Sequence, residues 1–194
     1  MVPVGRHPAH VIVASAGRTA YITNRGDNMV NVVDAAPQRV VKAIPVGASP
    51  HGPRISHEGK QAWVANLKGG TVSLIDTESR KQVAQINVGN GLAQLGFTPD
   101  GRFVFVSLSE ENQVANVEVA SRELVCKVVV GTASIQLCAT PDGRLVLVAN
   151  QGTPKKPGTT VSIIDVTNLK VVSTIEKARA QTAWRRIGRR ARHL

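Results

Sequence analysis

The chain has 194 residues, 42% of them apolar and 19% charged, which excludes a disordered polar chain. Aromatic residues make up only 3%, so a core must come from Val, Ile, Leu and Ala, a mix that favours strands. The net charge of +11 is concentrated: Lys177, Arg179, Arg185, Arg186, Arg189, Arg190 and Arg192 all follow Glu176, and without them 17 basic residues face 13 acidic ones.

No stretch approaches the roughly 20 consecutive apolar residues of a membrane-spanning helix. The opening MVPVGRHPAHVIVASAG lacks the basic-then-apolar order of a signal peptide. Cys126 and Cys138 form no disulfide framework, zinc pair or haem-attachment motif, and read as small apolar core residues.

Taken in chain order, the elements repeat. Tyr21-Ile22-Thr23-Asn24 returns as Trp63-Val64-Ala65-Asn66, as Phe105-Val106-Ser107-Leu108 and as Leu147-Val148-Ala149-Asn150, each time 42 residues on. Gly17, Gly59, Gly101 and Gly143 keep the same step, as do Gly5, Gly47, Gly89 and Gly131, each closing a Val-Gly pair. Asp34, Asp76 and Glu118 keep it too, whereas Asp165 comes 47 residues after Glu118. The additional residues fall in QGTPKKPGTT, which reads as an enlarged surface loop.

The second unit shows the pattern within a repeat. Arg54-Ile55-Ser56 leads to a turn at His57-Glu58-Gly59, and Gln61–Ala65 follows. After a turn at Lys68-Gly69-Gly70, Thr71–Asp76 alternates; Thr77–Arg80 then turns into Gln82–Val88. Four short runs punctuated by Gly, Asp, Asn and Ser predict four antiparallel strands. Val30, Val72, Val114 and Val161 share an apolar column, and so do Val33, Ile75, Val117 and Ile164. Asn116 interrupts the column of Val32, Leu74 and Ile163, so it needs a partner or an exposed position. A period of 42 with four strands is that of a β-propeller blade. The predicted fold is all-β, with four-stranded antiparallel blades at about 5–46, 47–88, 89–130 and 131–176, and a basic Arg/Ala-rich tail at 177–194 outside the propeller.

These repeats resemble the YVTN-type β-propeller family. The resemblance rests on Tyr21-Ile-Thr-Asn24, Thr71-Val-Ser-Leu-Ile-Asp-Thr77, Val83-Ala-Gln-Ile-Asn-Val-Gly89, Pro50-His-Gly52, Thr98-Pro-Asp-Gly101 and Val161-Ser-Ile-Ile-Asp165. It implies a bacterial or archaeal protein of the periplasm or cell surface, with lactonase-like enzymes and haem-binding propellers among its relations. It also implies seven blades, which at this step need about 294 residues. The chain therefore reads as four blades of an incomplete ring, with closure by partner chains or a small four-bladed ring as the alternatives; in an open arc the bare end blades offer self-association surfaces.

Propeller ligands sit over the channel, near the loop that enters each innermost strand. The candidates there are His10, His51, Arg54, Gln94 and Gln136, polar groups suited to a polar or anionic ligand, or otherwise to solvating the channel mouth. His7, His10 and His51 lack a carboxylate at a fixed offset, so no metal site is expected. Asp34, Asp76, Glu118 and Asp165 each end a strand of their own blade and read as turn-bonding residues, as do Asn24, Asn66 and Asn150. Tyr21, Trp63, Phe105 and Leu147 read as inter-blade packing.

No catalytic triad order or phosphate-cradling loop occurs in a suitable context. The residues themselves point to no catalytic group and no cofactor. The primary expectation is a non-catalytic, extracytoplasmic scaffold binding a protein partner or small ligand at the channel face. One alternative is a lactonase-like or haem-binding redox propeller using the channel mouth, and another is nucleic-acid binding through the tail. Nucleic acid is the weakest partner, because the tail reads as a frameshifted or mis-assigned end: the repeat stops at a blade boundary and its composition changes abruptly.

Overall fold

Each repeat folds as one sheet in a computed structural model that describes residues 1–14 and 17–176. The first sheet runs β1 (Pro8–Val13), β2 (Thr19–Asn24), β3 (Met29–Asp34) and β4 (Arg39–Pro45). The second runs β5 (Pro50–Ile55), β6 (Gln61–Asn66), β7 (Thr71–Asp76) and β8 (Lys81–Asn87). The third comprises β9 (Leu92–Phe97), β10 (Phe103–Leu108), β11 (Gln113–Glu118) and β12 (Leu124–Val129). The fourth comprises β13 (Ser134–Ala139), β14 (Leu145–Thr153), β15 (Lys156–Asp165) and β16 (Lys170–Ile175). Strand order follows chain order in every sheet and all pairings are antiparallel. The fold is an all-β propeller arrangement of four blades. The basic run 177–194 lies outside the described residues.

The first strand of each blade lines the axis: β1 packs beside β5, β5 beside β9, and β9 beside β13. No comparable packing joins β13 back to β1 among the described residues, so the arrangement is an open arc. Three apolar clusters fill the gaps between blades. Tyr21, Val30, Val32 and Ile44 meet Ala62, Val64 and Ile75 of the second blade. The other face of that blade, Trp63, Val72 and Leu74, meets Leu95, Val104, Val106 and Val117 of the third. Phe105, Val114 and Val128 then meet Leu137, Val146, Val148 and Ile164 of the fourth. Alternating side chains point to opposite faces of a strand, so each interior blade is buried on both sides.

The Val-Gly corners have a steric cause. Asn66 is fully buried, and its amide donates to Thr71 Oγ1 at 3.0 Å and Ser73 Oγ at 2.9 Å. Ser73 Oγ in turn accepts the Gly47 N–H at 3.2 Å. A Cβ on Gly47 would overlap the Asn66 side chain, and Gly131 stands in the same relation to Asn150. The asparagines are therefore buried struts beneath these corners, not surface turn residues as their type alone suggests. The acids do bond their turns: Asp34 accepts the Ala36 N–H, Asp76 the Ser79 N–H and hydroxyl, and Asp165 the Thr167 and Asn168 N–H groups.

Two expectations are corrected. QGTPKKPGTT is an extended hairpin rather than a loop, with Gly152 opposite Pro157 and Thr153 opposite Lys156. Pairing satisfies the backbone groups that a loop would leave to solvent, and Gly152 and Gly158 let the two backbones approach closely. Asn116 is fully buried, and neither its amide nitrogen nor its carbonyl oxygen has a partner among the described residues. Its cross-strand neighbours, Phe105 and Cys126, offer little to bond with.

Trp63 is fully buried and meets Phe97 of the third blade edge-on, with centroids 5.6 Å apart. Trp63→Ala should cost about 3–5 kcal/mol in denaturant unfolding, by removing an inter-blade side chain that its neighbours cannot replace. The Ser79 hydroxyl and N–H hold the Asp76 carboxyl below the usual carboxylate range. A depressed folded value gives stability that is present above the unfolded value and lost as pH falls through the folded one. Thermal melts between about pH 5 and about pH 2.5 should therefore fall less steeply for Asp76→Asn than for the native chain.

Candidate functional site

The inner strand of every blade carries an irregularity at the same place. Pro8 pairs with Asn24 and His10 with Thr23; Pro50 pairs with Asn66 and Pro53 with Val64. Leu92 pairs with Leu108 and Leu95 with Val106; Ser134 pairs with Asn150 and Leu137 with Val148. In each case two residues oppose one: Ala9-His10, His51-Gly52, Ala93-Gln94 and Ile135-Gln136. Such bulges re-aim side chains and end regular pairing, here at the strand edge that lines the axis.

A polar joint crosses each inter-blade gap at these bulges. Thr23 Oγ1 accepts the His10 N–H at 3.1 Å and donates to the His51 carbonyl at 2.8 Å. Ser107 Oγ accepts the Gln94 N–H at 3.0 Å and donates to the Ile135 carbonyl at 2.8 Å. Between the second and third blades the hydroxyl position is Ala65. There the His51 ring takes over: its Nδ1 lies 2.7 Å from the Ala93 carbonyl. A carbonyl can only accept, so Nδ1 carries a proton, and of the two neutral tautomers the bond selects the one with its lone pair on Nε2.

His10 stands against His51 with ring centroids 4.3 Å apart and planes at 73°. Burial pushes the His10 pKa down, and His51, Arg54 and Arg25 push it the same way. Arg54 is partly buried, and burial lowers its pKa too. Its Nη1 donates to its own Pro53 carbonyl at 2.9 Å, and no carboxylate pairs with it among the described residues. A guanidinium stays charged under these conditions, so the blade 1–2–3 junction holds uncompensated positive charge.

The sequence-derived candidates thus separate. His10, His51 and Arg54 form one electrostatically coupled group. Gln94 is buried at 4% exposure against Gly52, where any Cβ would overlap its Oε1, and that oxygen accepts the Leu95 N–H. Gln136 is exposed on β13, on the blade farthest along the arc from the histidines. Among the described residues no three His, Cys, Asp or Glu side chains converge as metal ligands would. Arg25 escapes a motif search because it follows the repeat tetrapeptide in a variable column (Arg25, Leu67, Ser109, Gln151), yet its charge reaches His10.

Relieving a partly buried, unpaired charge stabilises a fold. Arg54→Met should raise the thermal midpoint of the ligand-free protein, by on the order of 1 kcal/mol in stability. A lower midpoint would show that Arg54 has a stabilising partner instead.

Comparison with known proteins bears on this geometry. Among solved structures, Kuenenia stuttgartiensis hydrazine synthase superposes with a TM-score of 0.83 at 22% identity, over 91% of this chain and 51% of the other. The chain thus spans about half the length of that protein, and the likeness shows the propeller fold. No curated protein sequence matches. The profile described as "Cytochrome D1 heme domain" matches residues 5–94 and again 66–191, the second match running into the basic tail. The chain therefore belongs to the cytochrome D1 heme domain family of β-propellers.

Proposed function

We propose that these blades form part of a haem-binding propeller, with His51 as the imidazole ligand and Arg54 as the charge that meets an acidic edge of the macrocycle. The observation that carries this reading is the His51 ring: its Nδ1 is committed to the Ala93 carbonyl at 2.7 Å, which leaves Nε2 as the free donor atom. A ligating histidine is commonly oriented in this way by a carbonyl on its other nitrogen.

The surrounding residues fit the group. Haem carries carboxylates, and Arg54 is a partly buried cation with no acid of its own. His10 stands edge-on to His51 and limits rotation of its ring. Gly52 adds no side chain beside it. Bound there, a haem would supply redox and small-ligand chemistry at its iron. The chain's own part is to orient one imidazole, keep a second one neutral beside it, and balance negative charge with Arg54. This displaces the non-catalytic scaffold as the preferred reading, because a repeat scaffold needs no free imidazole nitrogen beside an unpaired arginine.

The finer YVTN assignment, a complete ring of seven blades and an extracytoplasmic setting belong to the same proposal. The repeat tetrapeptides support the first and the open arc the second, while the extracytoplasmic setting rests on the YVTN resemblance alone.

Titration with haemin and with haem of the d1 type, followed by visible absorbance, tests the reading. A saturable band shift is expected, weakened about tenfold or more in His51→Ala and less in His10→Ala. No shift with either haem, or equal shifts in the native chain and His51→Ala, would return the scaffold reading to first place.

A further inference from the structure

A second basic site lies on the rim, outside the inner strands. The β2–β3 turn brings Arg25 and Gly26, the β6–β7 turn brings Lys68, and the loops entering β1 and β5 bring His7 and Ser49. Together they line an open depression of about 320 Å³ between the first and second blades.

Its construction is specific. Ser49 is 7% exposed, and its hydroxyl oxygen accepts Arg25 Nε at 3.3 Å, which leaves the hydroxyl proton free to donate. His7 and Ser49 both hold left-handed backbone, at φ 52° and 57°. The rim is tied by Arg25 N–H to the His7 carbonyl, Leu67 N–H to the Ser49 carbonyl and Lys68 N–H to the Ala48 carbonyl. Gly26 is needed there, because a Cβ would meet the His7 ring at 2.8 Å. The acid next to Gly26 in the chain, Asp27, is already engaged by the Arg6 N–H and Nε, both at 2.6 Å. No carboxylate pairs with Arg25 or Lys68 among the described residues.

The repeat supplies an internal control. One step on, between the second and third blades, the positions of Arg25, Ser49 and Lys68 are held by Leu67, Gly91 and Glu110. A further step gives Ser109, Ala133 and Gly152. The backbone device recurs at every junction, but the paired cations and the buried hydroxyl occur at the first alone.

We infer that this depression binds a tetrahedral oxyanion of the phosphate class, free or as a phosphomonoester, with Arg25 and Lys68 supplying charge-assisted hydrogen bonds and Ser49 a neutral one. The site is separate from His51 and does not depend on haem.

The test is calorimetric titration of the intact chain with inorganic phosphate and with phenyl phosphate, using benzyl alcohol as an uncharged comparison. Saturable binding of at least one phosphate, with none of the alcohol, is expected. Tighter binding of phenyl phosphate marks the monoester as the natural class, and equal binding marks the free anion. Arg25→Gln and Lys68→Gln should each weaken binding about tenfold, with thermal midpoints near the native value because both side chains are exposed. His51→Ala and Lys60→Gln should leave it within about twofold. Absence of saturable binding, or equal affinity in Arg25→Gln and the native chain, overturns the inference. Loss of phosphate binding in His51→Ala would overturn the separateness of the site and merge it with the channel mouth.

Discussion

Ala62 and Trp63 are neighbours in the chain, both are fully shielded from solvent, and they are buried against different blades. This two-sided burial is the constraint on which the structure depends. A strand sends successive side chains to opposite faces, so a blade with both faces apolar is stable only between two others. Where a neighbour is lacking, the same columns open. Ala20 and Ile22 are partly exposed, while their equivalents Ala62, Val64, Val104 and Val106 are fully buried. At the other end Ile163 is partly exposed, while Val32 and Leu74 are fully buried.

Radial packing also decides where chemistry can occur. Side chains that face neighbouring blades are committed to the core, and the outermost strands face solvent. The inner-strand edges remain, with unpaired backbone groups lining the axis. The bulges and the Thr23, Ser107 and His51 joints satisfy some of these groups and fix the blades to one another. His51 therefore has two roles in one ring: Nδ1 holds two blades together, and that bond is what directs Nε2 away from the joint. A structural and a ligating reading of His51 are compatible, because the first supplies the orientation that the second requires.

The blades were readable because packing imposes one residue type per column: the Val, Ile and Leu columns and the Val-Gly corners recur every 42 residues. Backbone shape was less readable. His7, Ser49, Gly91 and Ala133 all hold left-handed backbone at one repeated position, as do Gln38, Arg80, Arg122 and Leu169 at another, and only one of the eight is glycine. Tertiary packing imposes those conformations irrespective of residue type, so composition gives no sign of them. The buried asparagine struts were misread for a related reason: an Asn beside a turn resembles a turn residue until the corner above it is known. At the site, His10, His51 and Arg54 could be named from their loops. The separation of Gln94 from Gln136 could not, because it turns on Gly52 leaving a space for Gln94 and no such space being needed by Gln136.

A repeat protein separates structural from functional demands better than a single-copy fold does. Whatever the scaffold needs, it needs in every blade, and those needs appear as conserved columns within one chain. A residue that departs from its column while keeping the same backbone answers to something other than the scaffold. By that criterion the valines and corner glycines are structural. Asn116 and the lengthened β14–β15 hairpin depart from their columns too, but three departures meet at one junction: His10 where the next copy has Gly52, His51 where others have Ala93 and Ile135, and Arg54 where others have Gly96 and Cys138. All three lie on the first two blades, and His51 and Arg54 are both felt at His10. Their adjacency on β1 and β5, beside an Arg54 that no carboxylate pairs with among the described residues, is the feature on which the proposed anionic ligand rests.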